Sequence, residues 1–324
     1  MSELAGNMSG GGAVFMTESW VSPPRWVEVA GRNARIDGLA LVPGVEVARR
    51  VDVEAVEVTA VAPDGVEVPL SIVHRRGLRL DGSAPTLLMG YGAYGVVTTP
   101  YYAPMWQAWL ERGGVFAVAH VRGGGERGEP WHVAGMKQHK ENSVIDFLAC
   151  AHFLIDHGYT SPARLVADGL SAGALVIGGA ITKEPGTFAA AIIDSGSCNP
   201  MRYASFASGP SNVQEYGDLL TEEGFRGLLA MDPFHRVRPA TPYPAVLLTT
   251  GANDARLPLW QSGKLAARLQ ASSTSGRPVL LRVDYAAGHG AAGSTTATQR
   301  AQFVADEFAF ALWQTGDPAF APAK

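Results

Sequence analysis

Leu165-Val166-Ala167-Asp168-Gly169-Leu170-Ser171-Ala172-Gly173, continued by Ala174-Leu175-Val176-Ile177, decides how the chain is read. A short apolar run, a Gly-x-Ser-x-Gly turn and a helix-compatible segment follow one another, which predicts a strand that hands a serine to the start of a helix. Such a turn forces the serine into a strained backbone geometry, where Cβ atoms on its flanks would collide with the adjoining strand and helix. Glycines at 169 and 173 remove that collision and leave Ser171 exposed at a helix N-terminus. A Gly-rich turn before an ordinary buried helix can produce the same five residues by chance, so the partners available to the serine decide its meaning.

A serine hydroxyl is a weak nucleophile near neutral pH; it needs a base, and the base needs an acid to fix its tautomer. Of the eight histidines, His289 has the best context, in Val283-Asp284-Tyr285-Ala286-Ala287-Gly288-His289-Gly290 just after the last apolar run. His120 also follows an apolar run but precedes the serine, against the order serine, acid, histidine of this kind of site. His74, His132, His139, His152, His157 and His235 fall in helix, loop or hairpin contexts that suit solvated or structural roles. For the acid, Asp254 ends the run Leu247-Leu248-Thr249-Thr250-Gly251-Ala252-Asn253-Asp254, 83 residues after the serine and 35 before His289. Asp284 competes through its closeness to His289 but falls within or at the end of a strand. Asp194, at the end of the strand after the serine, is held in reserve. Oxyanion donors are expected from the Ala172 amide and from Met89-Gly90-Tyr91-Gly92-Ala93-Tyr94-Gly95, where Tyr91 can offer its hydroxyl.

Outward from the serine, apolar runs at Thr86 to Met89, Val115 to His120, Ala189 to Ile193, Ala245 to Thr250 and Val279 to Val283 alternate with helical patterns. Those patterns lie around Ala103 to Arg112, Asn142 to His157, Ala172 to Thr182, Leu259 to Ala271 and Thr298 to Trp313. Alternation of this kind argues for an α/β fold with a mostly parallel sheet and helices on both faces. A hairpin over Glu57 to Val61 and Val66 to Leu70, turning at Pro63-Asp64-Gly65, opens it. Residues 197 to 240 break the rhythm and read as an insertion over the end of the sheet, of the kind that shapes pockets. At the N-terminus, residues 1 to 12 read as a disordered tail. Ala13 to Met16 and Trp26 to Ala30 read as two adjacent strands flanking Ser22-Pro23-Pro24, and residues 31 to 53 as a connecting segment. The expected division is 1–53 as an N-terminal extension and 54–324 as the main domain.

Composition narrows the class. With 47% apolar and 17% charged residues, the 324-residue chain is globular rather than fibrous or unfolded. Its formal charge of −4 shows no block of either sign, so nucleic acid is not an expected partner. Cys150 and Cys198 are too few for a disulfide framework and have no metal-ligand spacing. With no signal peptide and no membrane-length apolar run in the sequence, a cytoplasmic protein is expected.

Several motifs together resemble the prolyl oligopeptidase family of serine hydrolases. Gly90-Tyr91-Gly92-Ala93-Tyr94 looks like the family's Gly-Tyr-Gly-Gly-Phe segment, and Val121-Arg122-Gly123-Gly124-Gly125-Glu126-Arg127-Gly128 resembles its Arg-Gly-Gly-Gly-Glu-x-Gly run. Val73 to Gly82 and Gly158-Tyr159-Thr160-Ser161-Pro162 also look familial. The resemblance implies an α/β-hydrolase fold, with Ser171, Asp254 and His289 on the triad, Tyr91 and the Ala172 amide on the oxyanion hole, and Arg256 on a substrate carbonyl. It also implies a β-propeller, almost all of it missing here; Ala13 to Ala30 resembles only closing strands of its last blade. Where the family places a tryptophan for a proline ring, this sequence has Asn212, leaving Tyr94 and Tyr216 as aromatic walls.

The expected chemistry is acyl transfer with no metal or organic cofactor. Esters have the better leaving group, so a site without cap or tryptophan is expected to act on small carboxylic esters. The alternative is an oligopeptidase cleaving short peptides, and a third reading is a non-catalytic binding module. Severed strands bearing Phe15, Trp20 and Trp26 would seek partners, so a homo-oligomer joined through the N-terminal hairpin is also expected.

Overall fold

The computed structural model describes residues 4–7, 12–30, 33–35, 52–290 and 296–321. Two sheets organise them. The larger has eight strands: β5 (Val53–Val61), β6 (Glu67–Arg75), β7 (Thr86–Gly90), β8 (Val115–Ala119), β9 (Leu165–Leu170), β10 (Ala190–Asp194), β11 (Ala245–Gly251) and β12 (Val279–Asp284). Their spatial order is β12-β11-β10-β9-β7-β8-β6-β5. From β8 to β12 every pairing is parallel, and β6 runs antiparallel to both β5 and β8. This is the α/β-hydrolase arrangement read from the sequence.

Alternation along each strand feeds two cores. Leu88, Ala117, Ala167, Ile193 and Leu248 face α3 (Lys140–Asp156), α4 (Gly173–Lys183) and α8 (Trp260–Ser272), where they meet Phe147, Ile177 and Leu265. Their neighbours Leu87, Phe116, Val166, Ile192 and Leu247 face the other way, onto Trp106 and Trp109 of α1 (Trp106–Glu111) and Phe310 of α9 (Ala297–Gln314). Thr296 caps α9 with its hydroxyl while Gln299 reaches back to the Thr296 amide, a reciprocal start signal. The 197–240 stretch carries α5 (Val213–Tyr216), α6 (Glu222–Met231) and α7 (Pro233–Arg236). Tyr203, Tyr216, Leu228 and Met231 from it pack on Ala172 and Leu175, so the insertion does sit against the start of α4. Between β8 and α3 lies one further short helix, α2 (Glu129–Val133).

The smaller sheet is antiparallel, β1 (Leu4–Asn7), β2 (Gly12–Ser19), β3 (Ser22–Ala30) and β4 (Asn33–Arg35) in that order. Part of the expected disordered tail is therefore strand β1, and most of the expected connecting segment lies outside the described residues. The turn also differs from expectation: it falls at Trp20 and Val21, and Ser22-Pro23-Pro24 belongs to β3. Ser19 explains the shift, because its hydroxyl accepts from the amides of Val21 (3.3 Å) and Ser22 (3.1 Å) and closes the turn by itself. The prolines are tolerated because the register slips between Thr17 and Ser19 opposite them.

That turn also places one of the aromatic residues expected to await another subunit. Trp20 is only 4% exposed and packs inside its own chain, with ring centroids 5.5 Å from Tyr101, 5.9 Å from Trp106 and 6.3 Å from Phe116. Phe15 and Trp26 are half-buried. The tip of the hairpin folds back onto the α1 side of the main sheet, so the cover expected for Trp20 from another subunit is supplied by its own chain.

Candidate active site

The carboxyl ends of the parallel strands converge on one rim. Ser171 follows β9 directly, with φ +57° in the left-handed region, and α4 begins two residues later. Both flanking glycines have a steric reason. A Cβ on Gly169 would come within 2.5 Å of the Ile177 side chain, and one on Gly173 within 2.5 Å of the Gly90 carbonyl oxygen. The serine is fixed to the sheet through its amide, which donates to the Asp194 carbonyl at 2.8 Å.

Asp254 lies three residues beyond β11 and His289 five beyond β12. His289 Nε2 is 3.0 Å from Ser171 Oγ, and its Nδ1 is 2.8 Å from Asp254 Oδ2. With Nδ1 protonated toward the carboxylate, Nε2 is free to accept the serine proton. The second carboxylate oxygen of Asp254 accepts from the amides of Arg256 and Leu257, both at 2.8 Å, so the buried acid is held on both oxygens. The competing acids are engaged elsewhere. Asp284 accepts from the amides of Ala286 and Ala287 and shapes its own turn. Asp194 accepts from the hydroxyls of Ser195 (3.0 Å) and Thr249 (2.9 Å). It acts on the histidine loop at one remove, since Ser195 Oγ in turn accepts from the Gly290 amide at 3.1 Å. His120 is buried against Ser71 Oγ at 2.8 Å, a structural contact.

Tyr91 opens the loop after β7. Burial raises the pKa of its phenol, while the Arg256 charge and a hydrogen bond to Ser171 pull it back. The hydroxyl thus stays protonated at neutral pH and lies beside the nucleophile. Ala172 lines the same cleft at the start of α4. Around it stand Tyr94, Tyr216, Asn212, Arg256, Ser197 and Ser211. Arg256 is exposed and makes no ion pair with a described carboxylate, which leaves its guanidinium open to a substrate. Tyr94 and Tyr216 meet edge to face at 5.5 Å. Asn212 touches the cleft but its side chain is engaged, accepting from the Tyr94 hydroxyl and donating to the Ser208 and Gly209 carbonyls. A larger groove of about 540 Å³ lies between β5 and α3. It holds no nucleophile beside a base, so the chemistry assigns the site to the smaller cleft.

Reading the sequence missed one group entirely. Lys140 is 2% exposed and Glu215 4%, yet both are ionisable, and they meet beneath the Tyr91 loop with 3.7 Å between Nζ and Oε1. Burial pulls the Lys140 pKa down to about 8, with the Glu215 carboxylate pulling the other way. His132, set aside as solvated or structural, places Nε2 2.7 Å from Glu215 Oε2. Local pattern carries no signal for this cluster; Glu215 immediately precedes Tyr216, and nothing in its spacing marks it as buried.

A strand-to-helix serine, a histidine and a buried aspartate, hydrogen-bonded in that order at the rim of an α/β-hydrolase sheet, define the class as a serine hydrolase fold. Within that class, the chain belongs to the prolyl oligopeptidase family, whose model matches residues 101–318. It is 37% identical over 254 residues to a prolyl endopeptidase of Elizabethkingia miricola, covering 78% of this chain and 36% of that one. It is 34% identical over 269 residues to a dual function macrocyclase-peptidase of Amanita bisporigera, covering 82% and 37%. Among solved structures, one of two prolyl endopeptidases studied for inter-domain dynamics matches with TM-score 0.88 and 33% identity, over 97% of this chain and 46% of that. Oligopeptidase B from Leishmania major matches with TM-score 0.82 and 26% identity, over 94% and 42%. The chain spans about a third of the length of these curated relatives.

Proposed function

We propose that the chain acts as a serine peptidase on short peptides through an acyl-enzyme. Ser171 Oγ attacks the scissile carbonyl carbon while His289 Nε2 takes its proton. The imidazolium that forms is stabilised by Asp254, and the oxyanion receives hydrogen bonds from the Tyr91 hydroxyl and the Ala172 amide. His289 then returns the proton to the leaving amine, and water, deprotonated by the same imidazole, releases the acyl group from Ser171. Arg256 holds a carbonyl of the bound substrate. The observation that carries the reading is the continuous Ser171–His289–Asp254 chain of hydrogen bonds in a fold whose relatives are named peptidases.

The ester reading drawn from leaving-group chemistry gains nothing from those relatives, and the peptide alternative is the one they favour. A non-catalytic module would have no need of a histidine held on both ring nitrogens beside a strained serine. The test compares hydrolysis of a prolyl-arylamide and of a short-chain aryl ester by the chain and by Ser171→Ala. Arylamide turnover that vanishes with the serine is expected. Ester turnover with no arylamide turnover returns the assignment to an esterase, and failure of Ser171 to react with a fluorophosphonate removes catalysis altogether.

A further inference from the structure

The loop from Gly90 to Gly95 carries three left-handed residues within four positions. Gly92, Tyr94 and Gly95 have φ of +62°, +59° and +61°, and the left-handed value is unfavourable at Tyr94, which carries a Cβ. Its shape matters because Tyr91 lies within it, and from outside the loop the Gly123 carbonyl already anchors one end, accepting from the Gly95 amide at 3.1 Å. Two of its backbone groups have buried charged partners. The Gly92 carbonyl accepts from Lys140 Nζ at 2.6 Å, and the Tyr94 amide donates to Glu215 Oε1 at 2.9 Å. These two side chains pair with each other, Glu215 is held from behind by His132, and the Lys140 ammonium lies 5.7 Å from the centre of the Tyr216 ring. One ion pair therefore grips a carbonyl and an amide two residues apart, from α3 and α5 at once.

A buried ion pair is a poor source of stability, since desolvation of two charges can exceed their attraction and apolar residues of similar volume often do as well or better. Directional grip is what such a pair provides and apolar packing does not. We propose that Lys140 and Glu215 are positioning residues that hold the Gly90–Gly95 loop so that the Tyr91 hydroxyl meets the oxyanion at Ser171. The inference rests on the acyl transfer proposed above and goes beyond it by assigning the pair an effect on rate exerted through Tyr91.

The experiment is a mutant cycle on the full chain, with arylamide turnover and the rate of Ser171 phosphonylation by an aryl fluorophosphonate as parallel readouts. The charge-free pair Lys140→Met/Glu215→Met roughly keeps side-chain volume, removes both the donor to the Gly92 carbonyl and the acceptor for the Tyr94 amide, and is expected to remain folded at the assay temperature. Its kcat is expected to fall roughly 10-fold to 10²-fold with KM within about 2-fold, the penalty of a displaced donor. Tyr91→Phe alone is expected to lower kcat by about 10² to 10³. Adding the charge-free pair to Tyr91→Phe is expected to cost less than about 2-fold more, because a loop without its hydroxyl has nothing left to aim. An equal loss in both backgrounds, a loss carried in KM, or Tyr91→Phe at the parent's rate overturns the positioning role while leaving peptidase activity standing. Should the double variant not fold, Lys140→Arg and Glu215→Asp, which keep both charges but move the gripping atoms, are each taken through the same cycle. A parent chain that neither turns over substrate nor labels at Ser171 overturns the reaction and this inference with it.

Discussion

Replacing Gly173 by alanine adds a single methyl where the elbow meets the end of β7. The new Cβ would lie 2.5 Å from the Gly90 carbonyl oxygen. A relaxed carbon–oxygen contact is about 3.3 Å, so roughly 0.8 Å has to be found. β7 is locked between β8 and β9 by parallel pairing, leaving two ways to find it. Either α4 lifts and carries Ser171 away, or the end of β7 gives way and carries Tyr91, the next residue. Both change the serine-to-phenol distance by a similar amount, and a misplacement of about 1 Å costs on the order of 10²-fold in rate. That corresponds to about 2.7 kcal/mol on the barrier. Overpacking adds about 1–3 kcal/mol of lost stability, which a domain of this size survives. Gly186 provides the control, since a Cβ there meets nothing within 4 Å. Steady-state arylamide kinetics and thermal unfolding of Gly173→Ala, Gly186→Ala and the parent measure all of this. A Gly173→Ala chain with parental kcat/KM and unfolding temperature would refute the steric account of the elbow.

Two further outcomes follow from the same coordinates. Trp20→Ala empties the aromatic cluster between the N-terminal hairpin and α1; a loss of about 3–5 kcal/mol by denaturant unfolding is expected, and an unchanged midpoint would mean the hairpin does not contribute to folding stability. Burial and the nearby Asp194 carboxylate push the Asp168 pKa up to about 7, above its unfolded value of about 3.9. The folded chain therefore holds that proton the tighter of the two states, and the stability it lends is complete below about pH 4 and lost as pH rises through 7. Asp168→Asn is expected to raise the unfolding temperature more at pH 8 than at pH 5, and equal shifts at both would contradict it.

How much of this was legible beforehand depended on how local the cause is. The eight strands of the larger sheet and the helices α1, α3, α4, α8 and α9 carry their own periodicity and punctuation, and their positions are close to those the sequence suggests. Ser171, Asp254 and His289 were readable because each sits just past an apolar run, where a parallel sheet gathers its loops. The turn at Trp20 was misread because Pro23 and Pro24 are the louder signal, while the Ser19 hydroxyl that closes the turn is one atom. The fate of Trp20 was hidden for another reason: an apolar ring at a hairpin tip seeks cover, and sequence does not say whether that cover is another subunit or α1. Lys140, Glu215 and His132 were invisible because a charged residue reads as solvated until the fold encloses it.

The three members of the triad hang from β9, β11 and β12, whose alignment is set by pairs such as Leu170 with Asp194, Asp194 with Thr249 and Gly251 with Asp284. A slip of one position between any two strands would displace one member by about 3.3 Å along the sheet and turn its side chains to the opposite face. Turnover therefore reports whether the whole ladder has zipped correctly, and a misfolded chain with native helix content would be betrayed first by silence in an activity assay.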